Sequence, residues 1–170
     1  MSLIVDFYLD REPTATGIYF RDFLAMTDAE LESCHDFIQW VFPLTEPSRF
    51  NLNAPLLTER DITEFKTRPS IGLSADAAFL KMMEFYGLGY GNRLTVNPNK
   101  WPNWITLENH NFLRLTRILK FMMLIGRVTD AYVLFNYLSI LYFTGSGEVI
   151  SEKTFQFWKN SLIGYGNDSN

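Results

Sequence analysis

One cysteine and two histidines are all that these 170 residues offer of the thiolate and imidazole groups that ligate zinc. The lone Cys34 excludes an internal disulfide, and without a Cys-x-x-Cys pair a zinc site lacks its ligands. No metal or cofactor is therefore expected. Long apolar runs are also missing. The longest, Val128 to Phe143, includes Thr129, Asp130, Asn136 and Ser139, and falls short of the ~20 apolar residues of a membrane span. It is predicted to be a central buried helix. Asp6, Asp10, Arg11 and Glu12 interrupt any signal-peptide core, so a soluble, cytoplasmic chain without integral membrane insertion is expected. Basic excess is absent too, with 15 Lys and Arg against 19 Asp and Glu and a net charge of −4, which argues against a nucleic-acid binder. Neither a Gly-x-Ser-x-Gly elbow nor a phosphate-binding Gly-x-x-x-x-Gly-Lys loop occurs, so nothing marks a nucleophile. Clean strand alternation is lacking as well, which leaves an all-α class.

What is present describes one compact globular domain. Length and a hydrophobic fraction of 47% permit a proper core. Aromatics reach 16% and are expected mostly inside it. Residues 1–36 carry eight acidic side chains against Arg11 and Arg21, whereas 109–129 carry Arg114, Arg117, Lys120 and Arg127 with no acid. These regions are expected to neutralise each other.

Five to seven helices are predicted. Residues 1–17 read as an extended N-terminal arm, and 18–26 as a short helix. The capping box Thr27-Asp28-Ala29-Glu30 starts a helix running through Leu31–Phe42 to Pro43. Pro43, Pro47 and Pro55 mark a stiff loop over 43–57. Thr58 to Asp61 opens a helix to Thr67, Arg68-Pro69-Ser70 breaks it, and a longer one spans Ile71 to Tyr86 with Gly87 as its end cap. Residues 87–107 form one long irregular loop. Its Gly87-x-Gly89-x-Gly91 follows a helix, not a strand, and so is no dinucleotide fingerprint. Further helices cover 108–125, ended by Gly126, and 130–143, closed by Gly145 and Gly147. A last helix runs from a Ser151 cap to Ile163, followed by a flexible tail over 164–170.

Two segments carry candidate site residues. In Leu31–Phe42, Glu32, His35, Asp36 and Gln39 recur at helical spacing and form one polar face, backed by Leu31, Cys34, Phe37, Ile38 and Val41. Cys34 is expected to be buried. In the second segment His110, Arg114 and Arg117 share a cationic face, while Phe112, Leu115, Leu119 and Met122 point elsewhere. Either the two faces meet as a salt-bridge network, or they line a cavity for a small anionic ligand or peptide, since Arg suits carboxylate and phosphate. Trp40, Trp101 and Trp104 would supply walls. Glu32-x-x-His35 matches half of a di-iron motif, but no second copy exists because Leu107 stands three residues before His110. His35-Asp36 repeats the paired ligands of HD-type phosphohydrolases without the upstream histidine these need.

The same two segments carry a resemblance. His35 to Leu44 followed by Glu46-Pro47, and Asn109 to Leu119, resemble the conserved region of the opioid growth factor receptor family. Phe7-Tyr8, Arg11-Glu12-Pro13 with Gly17, Asn53-Ala54-Pro55 with Leu57-Thr58, and Phe85-Tyr86-Gly87 support it in the same order along nearly the whole chain. The resemblance implies an all-helical domain with no known enzyme activity. Vertebrate members are described as nuclear-associated receptors for enkephalin-type peptides that restrain growth. The expectation here is a stand-alone domain without their C-terminal repeats, acting as a non-enzymatic binding or regulatory module with a signalling role. The alternatives are an enzyme using His35 as general base on a small anionic substrate, and a structural polar network with an interaction surface elsewhere.

Overall fold

A computed structural model describes residues 2–90 and 93–163. The chain packs as two compact units, Met1–Lys81 and Met82–Asn170. Nine α-helices are present among the described residues, more than the five to seven expected. The excess comes from helices of four to six residues that hydrophobic periodicity cannot register. Gly91 and the predicted tail over 164–170 lie outside the described residues.

The first unit holds α1 (Leu3–Tyr8), α2 (Phe20–Ala25), α3 (Asp28–Ser33), α4 (Ile38–Val41), α5 (Glu59–Thr67) and the first turns of α6 (Pro69–Tyr86). Helix α1 corrects the expected extended arm. The Ser2 hydroxyl caps the amide of Val5, and Ile4, Val5, Phe7 and Tyr8 are all buried. β-Branched Ile4 and Val5 lower the local helix propensity, so burial rather than propensity makes this turn. Phe7, Tyr8, Phe20, Phe23, Phe37, Trp40 and Phe65 form a chain of edge and tilted ring contacts at centroid distances of 4.8–6.1 Å. The Tyr8 hydroxyl donates to the Val41 carbonyl, and burial pushes its phenol well above the ordinary value.

Capping boxes start α3 and α5. Thr27 Oγ1 accepts from the Glu30 amide at 3.3 Å while Glu30 accepts from the Thr27 amide at 2.7 Å. Thr58 and Asp61 repeat the arrangement at 3.2 and 2.9 Å. Each such cap contributes about 1 kcal/mol. On α6, Ile71, Ala75, Ala78, Phe79, Met82 and Tyr86 are buried at helical spacing, and Leu73 and Leu80 face outward.

The second unit begins at the end of α6. Strands β1 (Leu88–Tyr90) and β2 (Leu94–Val96) pair antiparallel with Gly89 opposite Thr95, and a 3-10 turn covers Pro98–Asn103. Residues 87–107 are thus not one irregular loop. The glycines make the hairpin possible: Gly87 has φ +83, and a Cβ on Gly89 would sit 2.2 Å from Thr95 Oγ1. Helices α7 (Asn111–Leu124), α8 (Val128–Leu141) and α9 (Glu152–Asn160) complete the unit, with a π-helical turn over Tyr142–Ser146. Phe112, Leu115, Leu119 and Met122 of α7 are buried as expected. Helix α8 is not the wholly buried helix expected: Ala131, Leu134, Leu138 and Leu141 face inward, but Tyr132 and Ile140 are exposed. No helix among the described residues is long and apolar enough to cross a membrane.

Candidate functional site

The first candidate segment does not form the predicted helix. Helix α3 ends at Ser33, Cys34 is extended at φ −89 and ψ 123, and α4 starts only at Ile38. Six consecutive residues, Phe37 to Phe42, are buried. One face of a continuous helix cannot bury six in a row, so the chain breaks and inserts α4 as a buried turn. Ser33, Cys34, His35 and Asp36 are weak helix formers and make the break cheap.

The polar face is therefore dispersed. His35 and Asp36 lie on an exposed bend, and Glu32 is half-buried on α3. Gln39 is buried, with no hydrogen-bond partner for its Oε1 among the described residues. Cys34 is half-buried, not a core residue. Trp40 belongs to the core, its ring 5.8 Å from that of Phe7. Among the described residues no three His, Cys, Asp or Glu side chains are grouped to hold a metal ion.

The second segment is helical where it matters. Glu108 adopts φ +53, a left-handed turn before the helix. Asn109 Oδ1 then accepts from both the backbone amide and the side-chain amide of Asn111, each at 2.9 Å. Its own Nδ2 donates to Thr106 Oγ1 at 2.8 Å. This Asx turn satisfies the first amide of α7. His110 occupies the cap position without a side-chain cap bond.

Asn111 is fully buried and anchors a network. Its Oδ1 accepts from the Tyr86 hydroxyl at 3.2 Å and from Arg114 Nη1 at 3.4 Å. The Tyr86 carbonyl accepts from the Tyr137 hydroxyl at 2.9 Å, which accepts from Trp101 Nε1 at 2.8 Å. Burial raises the Tyr137 pKa, opposed in part by the Trp101 bond. Arg114 is only 4% exposed, so the cationic stripe divides: Arg114 turns into the network, and Arg117 is half-buried one turn on. Trp104 packs edge-on to Tyr86 at 5.1 Å. Trp104 is thus part of the packed interior of this unit, and Trp101 is half-buried, held by its bond to Tyr137.

A groove of about 170 Å³ opens beside the start of α7. Glu108, Asn109, His110, Leu113 and Thr116 line one side, and Lys153, Thr154 and Phe157 of α9 the other. Helix α9 is fixed there by Trp158, whose Nε1 donates to the Phe112 carbonyl at 3.1 Å and whose ring meets Phe112 edge-on at 5.9 Å. Leu113 and Phe157 are each about half exposed. Lys153 Nζ lies 5.9 Å from the centroid of the Phe157 ring, at the outer reach of a cation–π contact. Two apolar walls with two cationic or hydrogen-bonding groups suit a side chain that ends near an anion. Of the eight predicted site residues, His110 lines this groove, whereas Arg114 is not among its lining and bonds to Asn111 in the interior. The first segment lies in the other compact unit. Asn111, Tyr86, Lys153 and Phe157 were not predicted. Asn111 stood beside His110 with a helical start to mark it, but nothing in the sequence links α9 to His110.

With this geometry in hand, comparisons with known proteins agree on one family. The opioid growth factor receptor (OGFr) conserved region matches residues 2–165. The opioid growth factor receptor of Homo sapiens is 38% identical over 96 residues, covering 53% of this chain and 14% of that protein. Opioid growth factor receptor-like protein 1 of Mus musculus is 34% identical over 124 residues, 67% of this chain and 26% of that protein. The Xenopus tropicalis protein of the same name is 32% identical over 124 residues, 67% of this chain and 24% of its own length. The chain spans about a quarter or less of these relatives. No solved structure matches it.

Proposed function

Because the chain belongs to the opioid growth factor receptor conserved-region family, we propose that it is a non-enzymatic helical binding domain with a receptor-like role. Its contact point is the groove between the start of α7 and α9. The carrying observation is the division of the second motif: His110 lines a groove while Arg114 and Asn111 are bonded into the interior. Residues of the same first turn are thus bonded into the interior while His110 stays at the groove, an arrangement that favours a preorganised wall.

Size favours a peptide over a cofactor. Ligand pockets for drug-sized molecules run to ~300–1,000 Å³, whereas this groove holds about 170 Å³. That accommodates one side chain and its flanking backbone. Leu113 and Phe157 fit an aromatic or aliphatic residue, and Lys153 with His110 a nearby carboxylate. The name of the human relative, a growth factor receptor, is consistent with a peptide partner.

Titration of the ¹⁵N-labelled chain with short aromatic peptides bearing a free C-terminal carboxylate tests this reading. Amide shifts are expected to cluster at Leu113, Thr116, Thr154 and Phe157, and to vanish in a Lys153→Glu, Phe157→Ala variant. Shifts centred elsewhere, or unchanged in that variant, overturn it.

A further inference from the structure

The chemistry that the groove between α7 and α9 suits also occurs within this chain. Residues 164–170 read Gly-Tyr-Gly-Asn-Asp-Ser-Asn. They hold one aromatic residue, Tyr165, set between Gly164 and Gly166, and one charged side chain, Asp168, three positions further on. An aromatic ring followed by a carboxylate matches the half-exposed Leu113 and Phe157 and the neighbouring Lys153.

We propose that residues 164–170 are an internal ligand of this groove, with Tyr165 between Leu113 and Phe157 and Asp168 at Lys153. The inference rests on the groove being the contact point proposed above, and adds its regulation: an outside partner must displace the chain's own segment. Competition of this kind lowers the apparent affinity for the partner by the fraction of time the groove is free.

Reach, direction and charge agree with this occupant. Lys153 and Phe157 are four positions apart and share one face of α9. The helix continues into a turn, in which the Ser161 amide donates to the Phe157 carbonyl at 3.1 Å and the Ile163 amide to that of Asn160 at 3.2 Å. On helical rise, Phe157 lies about 9 Å and Lys153 about 15 Å before Ile163. Extended chain covers ~3.3–3.6 Å per residue, so from Ile163 the Tyr165 backbone reaches about 7 Å and Asp168 about 17 Å. Chain doubling back along α9 therefore brings the ring to Phe157 and the carboxylate to Lys153, in that order. Glycine most readily takes the left-handed conformation that reverses a chain after a helix, so Gly164 permits the reversal. Within 151–163 the charged residues are Glu152, Lys153 and Lys159, two cations against one anion. Glu108 lines the α7 side of the groove and disfavours Asp168 there, which leaves the α9 side with Lys153.

The test compares the ¹⁵N-labelled 170-residue chain with its Tyr165→Ala variant. With no peptide added, the substitution should move the amide signals of Leu113, Thr116, Thr154 and Phe157. It should also tighten binding of the aromatic carboxylate peptides by about tenfold, the change expected where the internal segment fills the groove about nine-tenths of the time. Asp168→Asn should act in the same direction, more weakly and chiefly at low salt. A spin label on Ser169→Cys, in a Cys34→Ser background, should broaden the signals of Lys153, Thr154 and Phe157, and Tyr165→Ala should relieve that broadening. Groove amides that Tyr165→Ala leaves unmoved, with peptides bound equally by both chains, overturn the internal ligand and leave the groove's role standing. Broadening that Tyr165→Ala relieves, with no peptide bound by either chain, supports the internal ligand and overturns only the outside one.

Discussion

Residues Leu31–Phe42 and Asn109–Arg117 look alike in sequence and part company in the fold. Each carries a histidine and polar partners at helical spacing. In the second, α7 is continuous from Asn111 and its apolar spacing becomes a real buried face, although the cationic stripe beside it divides. In the first, the chain breaks over Cys34–Phe37, and neighbours on a helical wheel end up on an exposed bend, half-buried or in the core. Spacing translates into a face only where the load of buried residues fits one side of a helix. Phe112, Leu115, Ile118, Leu119 and Met122 fit one side of α7, but Phe37 to Phe42 cannot fit one side of anything.

That contrast can be broken at its strongest point first. Phe37→Ala should destabilise the chain by about 3–5 kcal/mol in urea unfolding, because it empties a fully buried position beside Phe23. Next, Arg114→Met should cost about 2 kcal/mol through loss of a charged hydrogen bond inside the network, whereas Arg117→Met should stay within about 0.5 kcal/mol. Equal effects would show that the stripe is not divided.

A smaller effect separates by pH. The Thr27 amide and then its hydroxyl hold the Glu30 carboxyl below the ordinary carboxylate range. A depressed carboxyl contributes stability that is complete above its unfolded pKa and fades as pH falls through the lowered folded value. Glu30→Gln should therefore lower Tm at neutral pH and lose that effect in acid. Smallest of all, the paired His35→Ala, Asp36→Ala variant should change stability by no more than about 0.5 kcal/mol, since both side chains lie on the exposed bend. A loss above 2 kcal/mol would restore a structural role for this pair.

Much of the fold was legible where local chemistry decides it. Thr27, Thr58 and Ser151 cap helices as read, and Gly87 and Gly126 take the left-handed conformation that ends them. The inward face of α7 was readable from its period. Helix α1 was not, because its first turns hold β-branched residues and its stability comes from rings on other elements. The hairpin was hidden because Gly89 has meaning only against Thr95, a partner across the turn. The groove was half legible. His110 stood in a motif, but Lys153 and Phe157 are brought to it by Trp158 packing on Phe112, and no spacing encodes that contact.

Tyr86 has a consequence for how the second unit moves. Its carbonyl is held by Tyr137 of α8 and its hydroxyl holds Asn111 at the first turn of α7. One residue thus bolts the end of one helix to the middle of a second and the start of a third. Local opening of any of these breaks bonds belonging to the others, so their amide hydrogens are expected to exchange as one cooperative block. Asn111 directly follows His110 of the groove, so that end of the groove's wall is tied to the block.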